Sequence, residues 1–298
     1  MKKRHLLCCL LLYAAITTFT ACKKEAREVI ASPKEFFTET EIVTVPEIDG
    51  AAGLSERRQD GTRNTFYGPA VQMGKGQIRT WINIRHRDGK PLALGIEMTD
   101  GSLLNLPTDA HDFAANTFIL PLHQRARKLT PFDHITVNWE PEGHEPKGIY
   151  DVPHFDVHFY KISVAHQLAI NGLPGPAPAP GFLPASYVIE GATVPQMGTH
   201  WLDPASPELS PKPAPFTHTF IYGSNNGHVH FLEPMITREL ISSGTYVKKA
   251  FPQPEKFSPV NKNYPEVYRI WMNWYNNRHY VALTNFVWRS NVSTGSND

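Results

Sequence analysis

Pro153-His154-Phe155-Asp156-Val157-His158-Phe159-Tyr160 alternates polar and apolar side chains with a period of two. On a strand, successive side chains point to opposite faces, so Phe155, Val157 and Phe159 share one face while His154, Asp156, His158 and Tyr160 share the other. The first face belongs in a core. The second offers two imidazoles, a carboxylate and a phenol in one row. If the stretch were helical, His154 and His158 would still be neighbours at i and i+4, but Asp156 would leave them.

Working outward, the same strand logic recurs. Gln77 to Arg85 alternates Ile78, Thr80, Ile82 and Ile84 against Arg79, Trp81, Asn83 and Arg85. Arg87-Asp88-Gly89-Lys90 supplies a turn, and Pro91 to Met98 a second strand, which together read as a hairpin. Further strands are expected at Leu103 to Leu106 and Ile135 to Trp139. Phe216 to Tyr222 and His228 to Glu233 flank the turn Gly223-Ser224-Asn225-Asn226-Gly227, and Val267 to Trp274 pairs with His279 to Trp288 across Asn276-Asn277. One short helix is expected over Met235 to Ile241, after Pro234. The segments Gly172 to Pro184 and Pro204 to Pro215 are too rich in proline for interior strands and read as stiff surface loops. The fold class that follows is mainly β: an antiparallel β-sandwich or barrel-like domain with one or two short helices.

The N-terminus is an address label rather than fold. Lys2, Lys3 and Arg4 precede an apolar stretch from Leu6 to Ile16, shorter than the roughly 20 residues that a spanning helix needs. Phe19-Thr20-Ala21-Cys22 resembles the bacterial lipoprotein box, which implies removal of residues 1–21 and lipidation of Cys22. With about 0.8 kcal/mol per buried methylene, two acyl chains already give stable membrane anchoring. Lys23 rather than an aspartate follows the cysteine, which favours the outer membrane of a two-membrane cell. Residues 22–64 then read as a polar tether, with a strand near Glu41 to Val45, and residues 65–298 as a single β-rich domain.

Composition excludes several chemistries. Cys8 and Cys9 lie in the leader, so the mature chain has no free thiol for a nucleophile, a redox pair or a thiolate metal site. The 29 basic and 28 acidic side chains nearly balance, and the leader carries three of the former away, leaving no basic excess to attract nucleic acid. Gly-x-Ser-x-Gly, His-Glu-x-x-His, phosphate-loop and dinucleotide patterns are absent from the sequence.

The candidate chemistry therefore rests on histidine and carboxylate. His154, His158 and His200 are expected to ligate one divalent transition metal; the donors suit zinc first, and also iron, manganese or copper. His200 is read as presented by a glycine-containing bend, Met197-Gly198-Thr199-His200-Trp201. Glu233 falls on an apolar strand face and is expected as fourth ligand or general base, the rival reading being a helix-start charge. Asp156 and Tyr160 are expected to stand behind the ligands as hydrogen-bonding support, Asp156 having ligation as its alternative. His228 and His230 are read as exposed or peripheral, His218 as structural, and Glu140 and Glu142 as solvated charge. The aromatics Trp271, Trp274, Tyr275, Tyr280, Phe286 and Trp288 are read as core or as a subunit contact.

The segments VPHFDVHFY (152–160), MGTHWLD (197–203) and FTHTFIYGSNNGHVHFLEPMIT (216–237), with YGPAVQMGKGQIRTW (67–81), resemble the hallmark segments of an uncharacterised secreted bacterial family. The resemblance implies motif positions at His154, Asp156, His158, His200, Glu233 and Met235, and it implies no reaction. Together these readings describe an extracytoplasmic lipoprotein that binds metal through clustered histidines and works as a metal-dependent hydrolase on a small molecule. The alternative is a non-catalytic envelope protein, oligomeric through its aromatics, with a structural polar or metal cluster.

Overall fold

The computed structural model describes residues 63–290. In chain order its strands are β1 (Arg63–Tyr67), β2 (Val71–Met73), β3 (Gly76–Arg85), β4 (Pro91–Thr99), β5 (Thr117–Pro121), β6 (His134–Glu140), β7 (His154–Tyr160) and β8 (Val188–Val194). They continue with β9 (Gly198–Leu202), β10 (His218–Asn225), β11 (His228–Thr237), β12 (Val247–Ala250), β13 (Lys262–Tyr264), β14 (Val267–Asn273), β15 (Arg278–Thr284) and β16 (Val287–Arg289). Four short helices intervene: α1 (Phe113–Asn116), α2 (Gln124–Leu129), α3 (Val164–Leu168) and α4 (Arg238–Ser243). One large antiparallel sheet runs β1-β3-β4-β15-β14-β12, with β2 beside β3, the other large sheet runs β5-β6-β7-β11-β10-β9-β8, and β13 pairs with β16 in a small third sheet. Both large sheets stay open, so the architecture is a sandwich and the barrel alternative falls. The leader, Cys22, the strand expected near Glu41 to Val45 and most of the tether lie outside the described residues. The domain's first described strand starts at Arg63, two positions before the expected boundary.

Alternation places the core between the sheets. Ile78, Ile82, Leu94, Ile96, Val281 and Leu283 from one sheet pack with Ile135, Val137, Phe155, Val157, Phe159 and Leu232 from the other. Phe220 stacks on Tyr268 across the gap at 5.3 Å, and His218 Nδ1 meets the Tyr268 hydroxyl at 2.7 Å. The structural reading of His218 thus fits its place. Burial, with help from Lys249, pushes His218 down to about 4. Its folded value lies below the ordinary histidine value, so as pH falls through about 6.5 the unfolded chain gains a proton that the folded chain refuses. Stability is therefore expected to drop between about pH 6.5 and 4. Urea midpoints across that range should fall less steeply in His218→Asn, which cannot titrate.

Three local expectations are corrected. Leu103 to Leu106 is not a strand, because Asp100–Leu103 winds into a 3₁₀ turn in which Ser102 Oγ donates to Thr99 O and the Leu104 N–H to Gly101 O. The helix expected at Met235 begins only at Arg238. Met235 is paired on both sides, with Thr219 of β10 and Asp156 of β7, so β11 runs on to Thr237, whose hydroxyl then caps α4 by accepting from the Leu240 N–H. His200 lies on a strand, β9, rather than in a bend, paired opposite Gly223 of β10 and Glu190 of β8.

The closing aromatics divide by position. Trp271, Tyr280 and Phe286 are buried, and Trp271 stacks on Tyr280 at 4.8 Å. Trp274, Tyr275 and Trp288 are exposed. At the β10–β11 hairpin, Asn226 and Gly227 both take positive φ, 47° and 80°, as a two-residue primed turn requires.

Candidate metal centre

The face of β7 opposite the core carries His154, Asp156, His158 and Tyr160, and all four are buried. Connections lie over this face. Tyr150, Leu202, Phe216, Ile221 and Met235 form an apolar cluster at one end, and Tyr160, Met197 and Phe231 another at the opposite end. The polar groups between them are thereby dried, which strengthens every charge interaction there.

A register shift in β11 decides which residues join them. Val229 pairs with Ser224 but Phe231 with Gly223, so His230 is the extra residue of a bulge. Beyond it Leu232 and Ile236 enter the core between the sheets, while Phe231 and Met235 pack on the outer face, with Glu233 between them in the alternation. His228 is exposed as expected. His230 is instead buried, 5.8 Å from the Tyr160 ring, because the bulge defeats simple alternation.

Two compact groups of donors result, His158 with His200 and Glu233, and His144 with His154 and Asp156. Within each, one donor atom per residue lies within 4.8 Å of the others. In the first, His158 Nε2 is 3.4 Å from Glu233 Oε1 and His200 Nε2 is 3.8 Å from Oε2. Bonds of roughly 2.0–2.1 Å around a tetrahedral zinc imply ligand-to-ligand edges of about 3.3 Å, close to these separations. Neither nitrogen of His158 has a hydrogen-bond partner, and Glu233 Oε2 also lacks one. Buried polar atoms are almost always paired, so unpartnered nitrogen and oxygen atoms within one triangle point to a missing partner.

Local structure holds these side chains. The His158 ring stacks against Tyr160 at 5.6 Å and meets the edge of Phe231 at 4.8 Å. Tyr160 is itself fixed by its hydroxyl, which donates to Gln196 O at 3.1 Å. His200 must approach Glu233 across β10, and the residue opposite it there is Gly223. A Cβ on Gly223 would lie 2.0 Å from atoms of the Phe231 ring, so only glycine leaves room for that ring beneath the two histidines.

In the second group His154 Nε2 is 3.2 Å from Asp156 Oδ1, and His144 Nε2 is 3.6 Å from Oδ2. The three histidines expected at one point are therefore divided: His158 and His200 share one triangle, and His154 belongs to the other. Asp156 lies at the apex of that second triangle, in a ligand's position rather than behind the imidazoles. His144, which sequence reading passed over, sits on the β6–β7 connection, half-buried. Gly143 at φ 73° turns the chain so that the His144 N–H donates to Tyr150 O, and the ring comes to rest 4.7 Å from that of His154.

Electrostatics follow from burial and from crowded carboxylates. Burial pushes His158 down to about 3 and His200 down to about 4, so both are neutral and keep a nitrogen lone pair at neutral pH. Burial and the Asp156 charge hold Glu233 well above the usual carboxylate range. Burial would also raise Asp156, but His154 and His144 outweigh it and hold that carboxyl below the ordinary range. Burial lowers His144, and the bond to and charge of Asp156 overcome this and carry it up to about 10.

Glu140, opposite His154 on β6, is pushed up to about 7 by burial and Asp156. The half-buried Glu190 is likewise pushed up to about 7, chiefly by burial. The solvated reading of Glu140 is thus corrected, whereas Glu142 is exposed as read. Elsewhere, a cavity of about 220 Å³ lined by Lys161, Tyr222, Leu232, Phe251 and Tyr264 contains none of these site residues.

Comparison with protein-family models, curated proteins and solved structures found no match to this chain.

Proposed function

We propose that this chain is an extracytoplasmic lipoprotein, anchored through Cys22 in the outer membrane of a two-membrane cell, whose outer-sheet site holds a divalent transition metal and hydrolyses a small-molecule substrate. The observation that carries the metal reading is the triangle of His158, His200 and Glu233, with its buried, unpartnered nitrogen and oxygen atoms. Two imidazoles and one carboxylate suit zinc, and three protein ligands with a fourth position open are the pattern of catalytic rather than structural zinc. A bound cation supplies Lewis acidity and lowers the pKa of a coordinated water to about 7.

In this reading the protein's own groups do the rest. Both oxygens of Glu233 face the histidines, which makes it a ligand rather than a base. The proton-accepting role passes to Glu140 or Glu190, whose values near 7 match a group that must both take and release a proton at neutral pH. The apolar clusters at either end exclude bulk water.

Metal analysis of the full-length purified protein beside a His158→Ala, His200→Ala variant tests this. Wild type is expected to retain zinc and to hydrolyse chromogenic ester or phosphate substrates, and the substitutions to lower the zinc content and abolish hydrolysis. Equal metal content in the two proteins overturns the proposal.

The exposed Trp274 and Tyr275, together on the β14–β15 hairpin, favour a second reading in which the protein is a non-catalytic oligomer and the metal a structural clip. A chelator that lowers the melting temperature while no turnover is detectable in the metal-loaded protein would select that reading.

A further inference from the structure

We infer that His144, His154 and Asp156 form a second divalent-metal site beside the first, so that the outer sheet carries a two-cation centre. The inference builds on the metal reading proposed above but rests on its own residues. His154 Nδ1 lies 2.6 Å from Val152 O, and His144 Nδ1 lies 2.6 Å from Glu145 O. A carbonyl oxygen only accepts, so each Nδ1 carries a proton and Nε2 is the nitrogen of each ring that can bind a metal ion. Both Nε2 atoms face Asp156. An imidazole whose far nitrogen is tied to a backbone carbonyl is the usual state of a metal-ligating histidine.

An imidazole nitrogen and a carboxylate oxygen turned towards one another need a cation, a proton or a metal ion, between them. A proton could serve, but it would occupy the line between donor and acceptor. His154 Nε2 and Asp156 Oδ1 approach to 3.2 Å without the alignment of a hydrogen bond, and both atoms are buried and unpartnered. That geometry suits an ion bonded to both from one side.

Charge points the same way. Asp156, Glu233, Glu140 and Glu190 bring four carboxylates to one dried region, and the charges of Asp156, Glu190 and Glu140 all act on Glu233. Asp156 and His158 are two residues apart on one face of β7, roughly 6.6 Å along the strand, so the two triangles lie side by side.

The stoichiometry of zinc or cobalt binding to the full chain, by equilibrium dialysis and elemental analysis, decides the matter. Wild type is expected to bind two ions per chain, His144→Ala one and His200→Ala one. The two single-site proteins should give different cobalt absorption spectra. The His144 side chain is 37% exposed on a connection, so its truncation leaves the sheet intact. Asp156→Asn, which keeps the shape and lowers the donor strength, should behave like His144→Ala.

One ion in wild type that survives in His144→Ala and is lost in His200→Ala would overturn the second site and leave the first. One ion that survives in His200→Ala and is lost in His144→Ala would establish this site while sinking the reading based on His158. One ion lost in both variants would mean a single shared centre and overturn the pair. No ion in wild type overturns both proposals.

Discussion

Glu233→Gln is expected to separate metal binding from folding: the metal-free variant should melt higher than metal-free wild type, and zinc should raise its melting temperature less than it raises that of wild type. Glu233 is 1% exposed and faces the charge of Asp156 on the adjacent strand, with the charges of Glu190 and Glu140 also acting on it. Without a cation it must bury a charge or hold a proton far above its ordinary pKa, and either cost is several kcal/mol before relaxation. The amide has the same shape and no charge, so this cost disappears. It is also a poor ligand. Wild type should gain about 2.7 kcal/mol from zinc at a hundredfold excess over Kd, and the variant close to nothing from this site. Thermal melts of both proteins with chelator and with zinc give four midpoints whose order should invert on metal addition. If metal-free Glu233→Gln melts lower than metal-free wild type, burial of the carboxylate is not the source of strain.

Gly223→Ala is expected to damage both the stability of the sheet and the first triangle. The new Cβ would lie 2.0 Å from Phe231 ring atoms, and that ring touches both His158 and His200. Overpacking of this kind costs about 1–3 kcal/mol, and the displaced ring would also disturb the two imidazoles. A loss of metal affinity of tenfold or more is expected with the loss of stability. Phe231→Leu placed in the Gly223→Ala background should restore part of both, since the smaller side chain vacates the contested space. Urea denaturation and zinc titration of the two single variants and the double variant measure the coupling. Additive effects would show that the ring and the glycine do not compete for this space.

Much of the fold could be read along the chain, because alternation is a local property. β3, β4, β6, β7, β10, β11, β14 and β15 lie close to where the pattern places them, and the pairing of β10 with β11 follows from the Asn226-Gly227 turn. Elements without that signal were missed. β8 is Val188–Val194 with both flanks loop-like, and β9 hides His200 between glycine and proline-rich segments. The helix at Met235 was misplaced because propensity after Pro234 is weak beside pairing on both strand edges.

The candidate site shows the same division. The face shared by His154, Asp156 and His158 was legible, since it requires only a period of two. The recruitment of His144 was not, because it depends on the turn at Gly143 and on a loop folding back to Tyr150. Glu140 reaches the site by standing opposite His154, and register between strands is not written in either strand alone. The bulge at His230 reversed which β11 residues face outward relative to Val229, and one extra residue in a strand is invisible to an alternation count.

By itself, then, the sequence determined a mainly β antiparallel domain, sandwich or barrel-like, with a histidine-bearing strand face, because side-chain alternation and turn chemistry act between near neighbours. Only the tertiary structure decided that the donors divide into two triangles, each completed from a distant segment. Convergence of nitrogen and oxygen atoms within a few ångströms is set by strand register, a bulge and a glycine gap, and these exist only once the strands have paired.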